Sequence, residues 1–101
     1  MLGVKTSNLE GDALERLVAK CEGKASWIRG FTTEWEQAGP IIEREEIGLA
    51  KSLRGVWAAI KYDEQQRLLA FEDGPTPLIA AMRCYVASRL GDEVETPEEL
   101  K

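Results

Sequence analysis

The apolar residues of this chain change their spacing twice, and that change limits the folds open to it. From Ile47 to Phe71 the pattern is that of strands. Ile47, Leu49 and Leu53 alternate with Gly48, Ala50 and Ser52, and the runs Val56-Trp57-Ala58-Ala59-Ile60-Lys61-Tyr62 and Leu68-Leu69-Ala70-Phe71 follow. On both sides of this block the period is three to four, the spacing of one helix face. Leu14, Leu17, Val18 and Cys21 form one such stripe, and Trp35, Ala38, Ile41 and Ile42 a second. Leu78, Ala81, Met82, Tyr85, Val86 and Leu90 form the third. Strands grouped between helices make an α+β fold. The strands are expected at about 46–54, 55–63 and 67–72, as a three-stranded antiparallel meander joined by short turns.

Three helices are expected, at about 8–22, 33–46 and 76–91. Ser7-Asn8-Leu9-Glu10 and Thr33-Glu34-Trp35-Glu36 each have a hydroxyl followed three residues later by a carboxylate, the pattern of a capping box. Gly23 can supply the left-handed stop of the first helix. Pro40 interrupts the second, so either that helix kinks, or Gly39 breaks it and Pro40 opens a new turn. Thr76-Pro77 supplies an N-cap hydroxyl and a first-turn proline to the third. The second and third strands are apolar on both sides, Trp57 and Ala59 against Ala58, Ile60 and Tyr62. Helices are therefore expected to cover both faces of the sheet.

With 101 residues there is room for one core, in a chain that is 44% apolar and 31% charged. A single domain is expected over residues 1–91. Residues 92–101 hold five acids against Lys101 and read as an acidic tail, leaving the rest close to neutral out of a net charge of −5. No apolar run is long enough to cross a bilayer. The opening Met1-Leu2-Gly3-Val4-Lys5 lacks the basic and apolar regions of a secretory leader, so a cytoplasmic location is expected. Cys21 and Cys84 fall on apolar helix faces and read as reduced, structural thiols.

The residues exclude much chemistry. Without histidine there is no zinc constellation, and no serine or cysteine has a base at a telling distance in sequence. Glu34 with Glu36, and Glu43 with Glu45 and Glu46, read as solvated helix faces rather than acid–base pairs. Gly74-Pro75-Thr76-Pro77 precedes a helix N-terminus, yet its prolines lack the N–H groups of a phosphate cradle and no P-loop lysine follows. The expectation is no enzyme, no metal and no cofactor. No basic stripe offers direct nucleic-acid binding. Trp57 and Trp35 are expected in the core. Trp27 has no periodic partner and stands beside Arg29, so packing and an exposed anchor both remain open for it. Trp27, Arg29, Thr76 and Arg83 are the candidate binding residues, the last three as phosphate contacts.

Five stretches carry a family resemblance. They are Val4-Lys5-Thr6-Ser7, Val18-Ala19-Lys20-Cys21-Glu22-Gly23, Gly39-Pro40-Ile41-Ile42-Glu43-Arg44-Glu45, Trp57-x-Ala59, and Gly74-Pro75-Thr76-Pro77-Leu78-Ile79-Ala80-Ala81-Met82-Arg83. In this order and spacing the chain resembles the NinX-like family of small phage proteins, from about residue 4 to residue 100. More weakly, it is similar to phage domains built as an α-β-α sandwich. The resemblance implies a setting, the cytoplasm of a bacterium carrying a phage or prophage, and no mechanism.

Three functions fit. The first is a non-catalytic accessory protein that binds a host or phage protein, in the service of counter-defence. The second is a homo-oligomeric sponge for a nucleotide immune signal. The third is a role in phage DNA recombination or replication exercised through a protein. None of them involves a membrane.

Overall fold

The alternating block folds into the expected meander, and helical segments flank it. The computed structural model describes residues 2–52 and 54–96. In chain order these form β1 (Leu2–Lys5), a 3-10 turn (Thr6–Asn8), α1 (Gly11–Cys21), α2 (Trp35–Glu45), β2 (Gly48–Lys51), β3 (Trp57–Tyr62), β4 (Leu68–Gly74), α3 (Pro77–Leu90) and β5 (Glu93–Thr96). The order β2-β3-β4 is antiparallel throughout, with Leu49 opposite Ala59 and Ala59 opposite Glu72. A second, two-stranded sheet pairs β1 with β5, Val4 facing Val94. That pairing had no sequence signal, because each strand is four residues long and the partners lie at opposite ends of the chain. It brings part of the supposed acidic tail into the fold: Val94 is buried in the core, while residues 97–101 lie outside the described residues.

Helix α3 organises the rest. Its expected stripe is buried up to Val86, but so are Ala80, Arg83, Cys84 and Ala87 on its other sides, while Leu90 is exposed at the end. A helix apolar nearly all round lies inside a protein. One side of α3 packs on all three strands of the meander and the others meet α1, α2, the 3-10 turn and β5. Small residues permit this close approach. At Gly74 a Cβ would lie 2.9 Å from the Ala80 backbone nitrogen, so only glycine fits where β4 turns into the helix.

The layers are therefore sheet, then α3, then α1 with α2. This corrects the expectation that helices cover both faces, and with it the likeness to an α-β-α sandwich. Leu49, Trp57, Ala59, Ala70 and Glu72 face α3. The opposite face carries Ala58, Ile60, Tyr62, Leu69 and Phe71, and Phe71 is 55% exposed. Alternation shows that both faces are apolar, but it cannot show whether a helix of the same chain lies on each.

The helix starts differ from the expected caps. Ser7 lies in the 3-10 turn, and α1 begins four residues later, after Glu10, with no side-chain cap. The reason is Leu9, which is extended, buried in the core, and lends its carbonyl to Arg83. Gly11 then turns the chain through a positive φ of 55°. Thr33 likewise caps nothing, and α2 starts after Glu34. That helix runs unbroken through Pro40. Both Pro40 and Glu36, whose carbonyl loses its partner, are exposed, so water can take the missing bond. Gly23 ends α1 with φ 69°, as expected.

Arg83 ties these parts together. It is only 8% exposed, and its Nε donates to the Leu9 carbonyl at 2.6 Å while Nη1 donates to the Asp73 carbonyl at 2.9 Å. Arg83→Met would strand both carbonyls, and it is expected to lower the unfolding free energy by roughly 2–4 kcal/mol in a urea titration. A loss below about 0.5 kcal/mol would mean that the carbonyls find other partners.

Candidate functional site

The connection between α1 and α2 is the longest in the chain without regular structure, and it is nonetheless tightly held. Glu15, one turn into α1, lies off the apolar stripe of that helix, where a charged side chain ordinarily faces water. Instead it is buried, and its carboxylate accepts from the Phe31 N–H (3.0 Å), the Thr32 N–H (2.9 Å) and the Thr32 hydroxyl (2.6 Å). This clamp lets the Phe31 ring plug the core, where it is fully buried. Lys24 lies over the same ring, 5.6 Å from its centre.

Arg29 fixes the other half of the loop. Its guanidinium pairs with Asp12 (Nη2 to Oδ1, 2.6 Å), and its Nη1 donates to the carbonyls of Ser26 and Ile28. The hydrogen bond from Arg29 holds the Asp12 carboxyl below its ordinary range, and Arg16 adds to the effect. Ile28 packs against the core. Trp27, between two residues so anchored, is 74% exposed. The loop thus presents an indole outward from a backbone that is held on both sides. Trp35, at the first turn of α2, is 56% exposed. Its expected place in the core is corrected: Ala38 and Ile41 of the same stripe are buried, but the first turn projects beyond them. Trp57, by contrast, packs against the core from β3.

Thr76 and Arg83 belong to α3. The Thr76 hydroxyl accepts from the Ile79 N–H at 3.1 Å, the N-cap expected of it. Arg83 is committed to the two carbonyls described above. None of Trp27, Arg29, Thr76 and Arg83 shares a hydrogen bond or ion pair with another of the four among the described residues.

Sequence reasoning missed a charged network joining the three helices and β3. Arg44 grips Glu22 through two nitrogens, at 2.6 and 3.2 Å, and also pairs with Glu45 at 2.8 Å. Arg89 and Lys61 reach Glu45 as well, at 3.2 and 3.6 Å. The Tyr85 hydroxyl donates to Glu22, and both Arg44 and Arg89 lie over its ring. The hydrogen bonds from Arg44 hold the Glu22 carboxyl low. Partial burial pushes Glu45 up, but the bonds from Arg44 and Arg89 outweigh it and the carboxyl ends low. Burial, then the Glu22 carboxylate, raises the Tyr85 phenol. Apart from the neighbours Arg44 and Glu45, these partners are 16 to 63 residues apart, so no local spacing could have revealed them. A shallow polar depression of about 330 Å³ opens beside the network, lined by Arg44, Lys61, Glu46, Asp63 and Glu64 among others. Its two cations are already paired.

Glu72 stands apart. It is 8% exposed on the face turned to α3, with no hydrogen bond or ion pair among the described residues. Burial raises its carboxyl pKa, Asp92 and Asp73 push the same way, and Arg83 opposes them. Cys84, nearby, is pushed up to about 12 by burial. It and Cys21 are free thiols. No group of three or more histidine, cysteine or carboxylate side chains could hold a metal among the described residues. No helix among them is long and apolar enough to cross a membrane.

The family model described as bacteriophage P22 NinX matches residues 27–89, more than half of the chain. The chain belongs to the phage NinX family. The matched stretch opens at Trp27 and takes in α2, the whole meander and α3 up to Arg89, leaving β1, α1 and β5 outside it. No curated protein matches the chain.

The carboxylates predict opposite responses to pH. Glu22 and Glu45 have folded pKa values below the unfolded 4.5, so their stabilisation is present above that pH and is lost as the pH falls through the lowered values. Glu22→Gln should therefore flatten the acid limb of a melting-temperature profile. Glu72 has its folded pKa above 4.5, so its charge destabilises the fold as the pH rises from 4.5 through the raised value. Glu72→Gln is expected to raise the melting temperature at pH 7, with the gain closing below about pH 4.5. An unchanged or lower melting temperature at pH 7 would mean that the carboxylate is paired.

Proposed function

We propose that this NinX-family chain is a non-catalytic phage accessory protein that binds a host or phage protein through the 22–34 loop. The observation that carries the proposal is Trp27, 74% exposed on a backbone held by Glu15 and Arg29. A large apolar side chain left in water is unfavourable unless something else covers it. A pre-ordered loop loses little entropy on binding, and tryptophan is the residue most enriched among binding hot spots. Trp35, just past the end of the same loop, is a second large apolar side chain left exposed. The phage family supports a setting in an infected or lysogenic bacterium, and the proposed place is its cytoplasm and the proposed role the blunting of a host defence.

Protein binding is preferred to nucleotide capture because the two arginines available for phosphate, Arg29 and Arg83, are engaged in hydrogen bonds within the chain.

The test is a capture from infected cells with the wild-type chain, Trp27→Ala and Trp35→Ala, followed by affinity measurement on the protein retained. Trp27→Ala is expected to weaken binding at least about thirtyfold while leaving the melting temperature unchanged. Unaltered binding by Trp27→Ala would overturn the proposal. So would a rise in melting temperature with a cyclic or linear nucleotide, since that would favour the sponge.

A further inference from the structure

The face of the meander turned away from α3 is apolar and uncovered, and its register makes it complementary to itself. We propose that it is the interface of a homodimer, in which two copies pack sheet against sheet about a twofold axis running along β3.

The argument begins with one row of side chains across the sheet. Gly48 of β2 lies opposite Ile60 of β3, and Ile60 lies opposite Phe71 of β4. The row thus runs from no side chain, through a medium one, to a large one. A rotation of half a turn about an axis along β3 places β4 of one copy over β2 of the other. Phe71 then comes over Gly48 twice, and Ile60 over Ile60. The surface is already shaped for this. Gly48, Ala50, Ala58 and Ile60 floor a shallow apolar hollow of about 310 Å³, and Phe71 stands at its rim. A knob beside a hollow, exchanged by a twofold rotation, is what an isologous contact requires. Face-to-face sheets pack about 10 Å apart with aligned strands, which suits this arrangement.

Charge and area agree with a second copy as the occupant. Among the outward positions of the three strands only Asp73, at one end of β4, is charged. Nothing on the face would pair with a nucleic acid or a strongly charged peptide. Tyr62, Leu69 and Phe71 on this face are each about half exposed, which leaves roughly 300 Å² of their surface in water, the size of the largest apolar patch of many monomers and often a functional one. Two such faces with their small neighbours bury on the order of 1,000 Å² in all, the lower end for a specific interface. An interface of that size suits a reversible dimer. This surface lies on the sheet rather than on the Trp27 loop, so the dimer stands or falls independently of the proposed function.

Sedimentation equilibrium of the full chain, from about 1 µM to 1 mM, gives the first reading. A mass rising towards twice that of the chain is expected. Phe71→Glu places a charge against the partner's hollow and should raise the dissociation constant at least about a hundredfold, with the fold retained. A wild-type chain that stays monomeric throughout, or a folded Phe71→Glu chain that dimerises as before, would overturn the proposal. If Phe71→Glu does not fold, geometry decides. In a Cys21→Ser background, Ala58→Cys sits on the axis and should be joined to its own copy by a short bifunctional maleimide. Glu36→Cys, exposed on α2, should not. No link through Ala58→Cys, or equal linking through Glu36→Cys, overturns the proposal, as does a face occupied by a different protein in cells while the pure chain remains monomeric.

Discussion

The structure depends on enclosing a helix that has almost no solvent side. Along α3, from Ala80 to Ala87, every residue is buried, so the helix cannot persist unless the sheet covers one side and α1 and α2 the other. Hydrophobic burial gives this arrangement its driving force but no direction. Direction comes from Arg83, the one charged residue in that stretch, whose guanidinium meets the carbonyl ahead of α1 and the carbonyl near the end of β4. A buried charge is tolerated only where its hydrogen bonds are met. Arg83 therefore sets how far α1 and β4 stand from the helix between them.

A second layer of polar chemistry lies at the rim of this core. Glu15 orders the loop before α2, while Glu22, Glu45 and Tyr85 with three cations tie the ends of the helices to β3. Each is a long-range contact between elements that apolar packing alone would leave free to slide. Glu72 is the exception, a carboxylate carried into the core side of the sheet without a hydrogen-bond or ion-pair partner among the described residues. Such a group is a local cost that the surrounding packing offsets.

Much of this was legible in the sequence, for identifiable reasons. The change of period located the meander, and Thr76-Pro77 marked the start of α3, because both signals are local and the structure uses them locally. The boxes at Ser7 and Thr33 failed for the opposite reason: burial of Leu9 and the clamp of Glu15 decide where those helices begin, and both act across distance. Trp35 kept its helical phase but not its burial, since periodicity says which side a residue is on and not how far the core extends. The same limit explains the uncovered sheet face. For the candidate site, the sequence singled out Trp27 as a residue without a partner, and Arg29 beside it. It could not show that Arg29 holds the loop through Asp12, or that Glu15 lies beneath it. The pairing of β1 with β5 had no local sign at all.

That pairing also has a consequence for the order in which the chain folds. The meander and α3 are contiguous, so their contacts close over short stretches and can form early. Among the described strands β1 is made first and β5, its partner, last. During synthesis β1 therefore waits for its partner until the meander and α3 have been made. Closing so long a loop costs only a little more than closing a short one, because the entropy grows with the logarithm of length. The small sheet thus acts as a late fastening: it can open and close while the meander and α3 stay intact, which makes it the place where the native molecule would first loosen.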